Sequence, residues 1–366
     1  MCEIEVKDKA YYIYGAGIVA TSIYTAIKKL HHCTPKAFLV SAMEGNPTKI
    51  DDIPVWEIST SEAIDSLSKY LIATPEVHHV SITESLTRLG ILCEQMIFVD
   101  NQLENKLLDA YYNSVHDFTT ASEFLNGKEE YGDVEKKQGI AVFQAKCHVD
   151  RPLKNVVAMP DYIQPIQVGA TLTDVVIAPV RDNSGSNISV KNRNYCELTA
   201  TYYAWKNTQV QYKGLCHYRR IFELSDEQMR SLLAEYDVDV ILPYPSIHYP
   251  DIRGQHIRYV KEDDWSAVLQ AMKEVAPEYY GAYIGEISKD CYFYNFNMVI
   301  AKREVFDDYC RFLFSVLERT EALTTPKGWE RADRFAGYLG ENLTTIYFRK
   351  NKDKLKIVHT GKVWLT

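Results

Sequence analysis

In "YKGLCHYRRIF", residues 212–222, an apolar run ends in a histidine and two adjacent arginines. Guanidinium forks bind phosphate oxygens bidentately and keep their charge at any working pH. If the strand runs on past its apolar part, His217 and Arg219 share one face and Arg220 points to the other. The spacing therefore predicts His217 and Arg219 toward an anionic ligand and Arg220 toward a carboxylate of the fold. Ahead of it, "VRDNSGSNISVKNRNYCELTATYYAWKN" carries an Asx-rich loop from Asp182 through Asn183 to Asn187, then Lys191 and Arg193 beside a helix start. Such a place suits an anion or a nucleobase and ribose, although loops of this kind often satisfy only their own backbone. Asn194 and Glu197 have capping-box spacing, after which Leu198, Tyr202 and Trp205 line one helical face as core. In "YFYNFNMVIAKREVFDDYC" Asn295 and Asn297 interrupt an apolar strand, and buried amides need partners that sugar hydroxyls could supply. "RADRFAGYLGENLTTIYF" sets Arg331, Arg334 and Glu341 by a glycine-rich bend, where a carboxylate can act as general base or pair with an arginine.

The elements that must hold these groups read as alternating strands and helices. "YYIY" (11–14) predicts a buried strand, followed by a turn with Gly15 and Gly17 and the helix "IVATSIYTAIKKL", which is G-x-G-x-x-A in strand–turn–helix context. Strands at 36–40, 70–74 and 95–100 and helices at 61–69 and ending at Gly90 complete a small doubly wound sheet. The acid that would hold a ribose at the end of the second strand is missing, since "FLV" runs into Ser41–Ala42–Met43. Three readings of the turn stay open: a dinucleotide site, a structural tight turn, or a helix N-terminus for another phosphate or phosphosugar. The polar stretch 116–139 reads as a linker with one short helix. The chain is thus divided into residues 1–115, a linker at 116–139 and a second domain at 140–366.

The chain has 366 residues, too many for one ordinary core. Its net charge of −8 argues against a nucleic-acid binder, so phosphate recognition should be local. The 26 tyrosines suit polar-aromatic surfaces that stack and hydrogen-bond, though most should pack cores. Eight scattered cysteines form no C-x-x-C pair, which points to a reducing cytoplasm and to neither zinc nor a disulfide framework. No signal segment and no bilayer-spanning run are read, so a soluble protein is expected, at most peripheral at the inner face of the plasma membrane. "FRKNKDKLK" (348–356) is the candidate membrane contact; as a rule such runs are solvated faces.

From about Ala141 onward, "IQPIQVGA", "DNSGSNISVKNRNYCELTATYYAWKN", "YKGLCHYRRIF", "VILPYP", "YNFNMVIAKREVFDDYC" and "FAGYLGENLTTIYF" occur in order, and this part resembles family 4422 of the domains of unknown function. The resemblance implies a bacterial glycosyltransferase of capsular or exopolysaccharide biosynthesis. It further implies an α/β, GT-A-like fold and a UDP-sugar donor, with galactofuranose one candidate hexose. The N-terminal part resembles Rossmann-like modules fused to sugar-processing enzymes. On the family pattern, Gln167 and Gly169 lie near the first strand, and Asp182, Asn183, Asn187 and Asn192 in the nucleotide loop. His217, Tyr218 and Arg219 stand where many such enzymes carry a metal-binding D-x-D. Asn297 and Met298 fall beside the sugar and Glu341 at an acidic position, followed by Asn342 where arginine is usual.

Asp237 and Asp239 form the one tempting D-x-D, but they precede their strand's apolar run and read as a solvated strand entry. The departing UDP would then be balanced by Arg219 and His217, with no cofactor required and a divalent metal left open. The expected reaction is transfer of a hexose to a lipid-linked saccharide. Glu341 would serve as base if the transfer inverts. The alternatives are an NAD(P)-dependent nucleotide-sugar epimerase or reductase, and a non-catalytic nucleotide-sugar sensor.

Overall fold

The computed structural model describes residues 10–60, 67–126, 139–153, 158–254, 259–325 and 331–365. The chain divides into two units: Met1–Asp117 with Ser246–Asp251, and Phe118–Pro245 with Ile252–Thr366.

In the first unit the strand order is Lys49–Ile50, Ile53–Glu57, Phe38–Val40, Tyr11–Tyr14, Lys69–Ile72, Met96–Phe98. All pairings are parallel except the hairpin between the first two. Every residue of Tyr11–Tyr14 and Phe38–Val40 is buried, as strands covered on both faces require. Helices Ile18–His31, His79–Arg88 and Asn101–Asn113 connect and cover them, the last started by Asp100, whose carboxylate accepts Leu103 N–H at 2.8 Å. The expected helix at 61–69 falls largely on 61–66, outside the described residues. The hairpin turns on Asp51 and Asp52, both at positive φ (47° and 64°), a turn that Asp tolerates. Ile247 belongs to this unit through its backbone: its carbonyl accepts Thr21 Oγ1 at 2.6 Å and its N–H donates to Ser22 Oγ at 3.0 Å.

The second unit is built on a sheet of nine strands among the described residues, with helices on both faces. Its spine runs Ile357–Thr360, Val240–Pro243, Val299–Lys302, Tyr212–His217, Ile140–Lys146, Ile163–Gln167, Val180–Arg181. Only Val299–Lys302 runs antiparallel to its neighbours along this spine. Side chains alternate between two cores with the period of two that a strand dictates. Phe143, Leu215, Val299 and Leu242 enter one core, Val142, Cys216, Ile300 and Ile241 the other. Helices Glu262–Val275, Arg303–Leu323 and Phe335–Lys350 close the first core. Leu198 is buried there, and Tyr202 and Trp205 pack against it, as their helical spacing predicts. Seven tyrosines are among the largest fully buried side chains, so core packing accounts for much of the tyrosine content.

Of the expected linker, Ala121–Leu125 is a short helix of this second unit; residues 127–138 lie outside the described residues. Among the described residues no helix is long and apolar enough to cross a membrane.

Candidate active site

Three parallel strands, Ile140–Lys146, Ile163–Gln167 and Tyr212–His217, end around a cavity of about 390 Å³. The carboxyl ends of such strands are where open α/β sheets hold ligands. Cys147 and Asp150 reach the cavity from the first strand, Gly169 and Leu172 from the second, and His217 and Tyr218 from the third. Asn192, Arg193, Cys196, Glu197 and Arg334 complete the wall.

The strand does not run on past His217. It pairs His217 with Arg220 and reverses over the two residues Tyr218 and Arg219, so the straight-strand expectation is corrected. Arg220–Phe222 is held in the reversal by pairing with Lys362–Trp364. The His217 Nδ1 accepts the Arg219 backbone N–H at 3.2 Å and lies 3.3 Å from Arg220 Nη1, which can only donate. The neutral ring therefore carries its proton on Nε2. Burial, with Arg220, Arg219 and Arg334 nearby, pushes its pKa down to about 3. His217 can thus offer a hydrogen bond from Nε2 but, held neutral, no positive charge. Arg220 is clamped between Phe296 and Trp364, its guanidinium carbon 3.8 and 3.9 Å from the ring centres.

Positive charge at and near the cavity comes from guanidiniums. Arg219 lies over the Tyr218 ring at 5.1 Å, its Nε buried without a hydrogen bond, and it pulls on the ionisation of Asp150. Arg334 caps helix Phe335–Lys350 in the left-handed conformation (φ 63°) and is exposed. Among the described residues neither Arg193 nor Arg334 gives its guanidinium a hydrogen bond or ion pair. Burial raises the Asp150 carboxyl, and Arg219 and Arg334 oppose the rise.

Asp182 is taken up by hydrogen bonds within the fold. It is wholly buried, and its two oxygens accept Gly169 N–H (2.8 Å), Ala170 N–H (3.0 Å), Ser189 Oγ (2.5 Å) and Thr199 Oγ1 (2.6 Å). It thereby fixes the Gly169 turn that enters the cavity. Gly169 itself sits at φ 65°, and a Cβ there would lie 2.6 Å from Asn192 Oδ1. Gly169→Ala should lower stability by about 1–2 kcal/mol; an unchanged melting temperature would count against this.

Gln167 is likewise internal, its amide bonded to Val175 O (2.6 Å) and Ile177 N (3.0 Å). Asn187 closes its own loop onto Asn183 O, Gly185 O and Ser189 N, the backbone-satisfying role open to such loops. Asn183 enters that closure through its carbonyl and is not on the cavity wall. Met298 packs in the second core, 1% exposed, rather than beside a ligand.

Glu197 was read as a capping residue, and the structure gives it another position. Cys196 at φ 50° breaks the chain between the short helix Asn192–Tyr195 and helix Leu198–Asn207, leaving Glu197 at the N-cap with no capping bond. Its carboxylate lines the cavity and accepts Asn297 Nδ2 at 2.8 Å. Close to it, Glu341 accepts Phe296 N–H at 2.8 Å, and burial with Glu197 nearby lifts its pKa to about 7. Burial raises Glu197 as well. Phe296 and Asn297 are both left-handed, at φ 72° and 50°, a cost of about 1–2 kcal/mol each. Strain of this kind collects at functional sites.

Asp237 and Asp239 lie at the opposite edge of the sheet, where Lys302 Nζ bonds both, at 2.6 and 2.7 Å. They are a strand entry held by an ion pair. Among the described residues no cluster of three or more His, Cys, Asp or Glu could hold a metal ion. The basic run near the end is partly engaged: Arg349 pairs with Asp290 at 2.5 Å and Lys356 with Asp237 at 3.4 Å. In the first unit, Gly15 at φ 121° makes the close turn, for a Cβ there would lie 2.7 Å from Ala73 O, while Gly17 caps helix Ile18–His31. At the second strand's end Ser41 bonds Tyr14 Oη at 2.7 Å.

No curated protein matches the chain. Among solved structures it is similar to the apo structure of the bifunctional glycosyltransferase WbbM, with 23% identity and a TM-score of 0.52. The match covers 62% of this chain and 45% of that one, so this chain spans under half of that protein's length. The likeness is one of fold, and the chain has an α/β fold of the glycosyltransferase kind. Residues 148–352, more than half of the chain, match the family described as Domain of unknown function (DUF4422), and the chain belongs to that family.

Proposed function

We propose that the chain is a GT-A-like glycosyltransferase that moves a hexose from a UDP-sugar to a lipid-linked saccharide in capsule or exopolysaccharide assembly, at the inner face of the plasma membrane. Galactofuranose is one candidate sugar. The observation that carries this reading is a cavity at the carboxyl ends of parallel strands, lined by both the unpaired guanidinium of Arg334 and the carboxylate of Glu197. Breaking a glycosyl–diphosphate bond builds negative charge on the leaving phosphate and frees a proton from the acceptor. The two side chains answer those two needs. Arg219 and Arg193 add positive charge, and the neutral His217 a hydrogen bond from Nε2. Family membership and the fold likeness support the same class of reaction. The glycine turn of the first unit, Gly15 and Gly17, is kept as a second phosphate or phosphosugar site.

Thermal shifts separate the readings. A saturating ligand at 100 times its Kd stabilises by about 2.7 kcal/mol. UDP and its sugars should raise the melting temperature by several degrees, and transfer should survive chelator. Protection by NAD(H) alone would favour the epimerase or reductase, and abolition by chelator would replace the arginines with a divalent ion.

A further inference from the structure

Two carboxylates meet beside the cavity, and one tight turn serves both. Phe296 N–H holds Glu341, while the amide of Asn297 holds Glu197 and also donates to Gly337 O at 3.1 Å. Gly337 and Glu341 belong to the same helix, Phe335–Lys350, so the turn ties strand, helix and both acids into one unit. Asn297 is 1% exposed, and its hydrogen bond to Gly337 O is buried. Of the two acids only Glu197 is among the residues that line the cavity.

We propose that Glu197 is the catalytic base of the transfer, and that Glu341, tied to it through the Phe296–Asn297 turn, is a positioning residue. This rests on the glycosyltransferase reading above. The proton of the acceptor hydroxyl passes to the Glu197 carboxylate as the acceptor oxygen bonds the anomeric carbon. The bond from that carbon to the diphosphate oxygen breaks, and its electron pair leaves with UDP. Glu197 then returns the proton to water through the open cavity.

The titratable groups coupled to the pair are Arg220 and Arg334, which favour the ionised forms, and the neutral Cys196, Tyr309 and Tyr338. An ionised Glu197 opposes ionisation of Glu341. With its pKa lifted to about 7, Glu341 stays protonated below neutral pH and adds no charge beside Glu197 there. Replacing Glu341 by glutamine therefore leaves the charge beside Glu197 unchanged below neutral pH.

The test uses the full chain, with UDP release and sugar transfer from whichever UDP-sugar the wild type accepts. Glu197→Gln should lower kcat by about 10³-fold while UDP affinity stays within about threefold. Glu341→Gln should lower kcat by about tenfold with KM little changed and leave the acid limb of the pH–rate profile in place, a kcat-only loss that general destabilisation would not give. Should Glu197→Gln fail to fold, Glu197→Asp, which keeps a retracted carboxylate, should lose about 10–100-fold and retain an acid limb. A folded Glu197→Gln or Glu197→Asp with unaltered turnover overturns the proposal, as does a product that keeps the donor's anomeric configuration; the glycosyltransferase reading survives both results. A wild type that uses no UDP-sugar overturns the two together.

Discussion

Arg334→Met should lower kcat/KM for sugar transfer by about 10²–10³-fold, the range found when one preorganised donor to a developing charge is removed. The physical reason is that Arg334 holds nothing else together. It is exposed on a left-handed residue and its guanidinium has no hydrogen bond or ion pair among the described residues, yet its charge is felt by Asp150, Glu197 and His217 around the cavity. Methionine keeps the apolar stem and the same backbone strain, so the melting temperature should move by no more than about 2 °C. UDP affinity should fall with activity, because the ground-state diphosphate also meets the guanidinium. Arg334→Lys should recover part of the loss, since it restores charge without the bidentate fork. Steady-state kinetics with kcat/KM within threefold of wild type would transfer the role to Arg219 or Arg193.

The second large effect is on stability. Asp182→Ala leaves two backbone N–H groups and two hydroxyls buried without their acceptor. Each such orphan costs about 1–3 kcal/mol, and the four are coupled, so a total of roughly 4–6 kcal/mol is expected rather than their sum. For a unit of this size that corresponds to a fall of about 10–20 °C in melting temperature. If Asp182 were instead a nucleotide ligand, the same change would abolish UDP binding and leave the melting temperature nearly untouched. Calorimetry with and without UDP distinguishes the two.

Asp182 also shows why the site was only partly legible in the sequence. Its residue type and loop are those of a nucleotide ligand. Its four partners lie 13 and 12 residues before it and 7 and 17 after it, and no local pattern announces that they converge. The reversal at Tyr218–Arg219 was hidden for the same reason. A two-residue hairpin normally shows itself by Asn-Gly or Asp-Gly. Here no such signal exists, and the strand that holds Arg220–Phe222 in place lies some 140 residues further on, at Lys362–Trp364. Glu197 obeyed capping-box spacing, but Cys196 at positive φ turned its carboxylate toward the cavity. By contrast, the parallel strands, the Leu198–Tyr202–Trp205 face and the strand-entry character of Asp237 and Asp239 follow from local pattern. Apolar runs and period fix these before any distant contact is made.

The first unit is not continuous in the chain, because Ser246–Asp251 is counted within it and Ile247 bonds Thr21 and Ser22 there. Excising the leading segment at Asp117 for separate expression would therefore strip a hexapeptide from its own packing and leave two helix hydroxyls without their backbone partner. A self-sufficient fragment would have to bring those six residues along, for instance grafted as a trailing tail, and gene-level shuffling of this module between enzymes faces the same requirement.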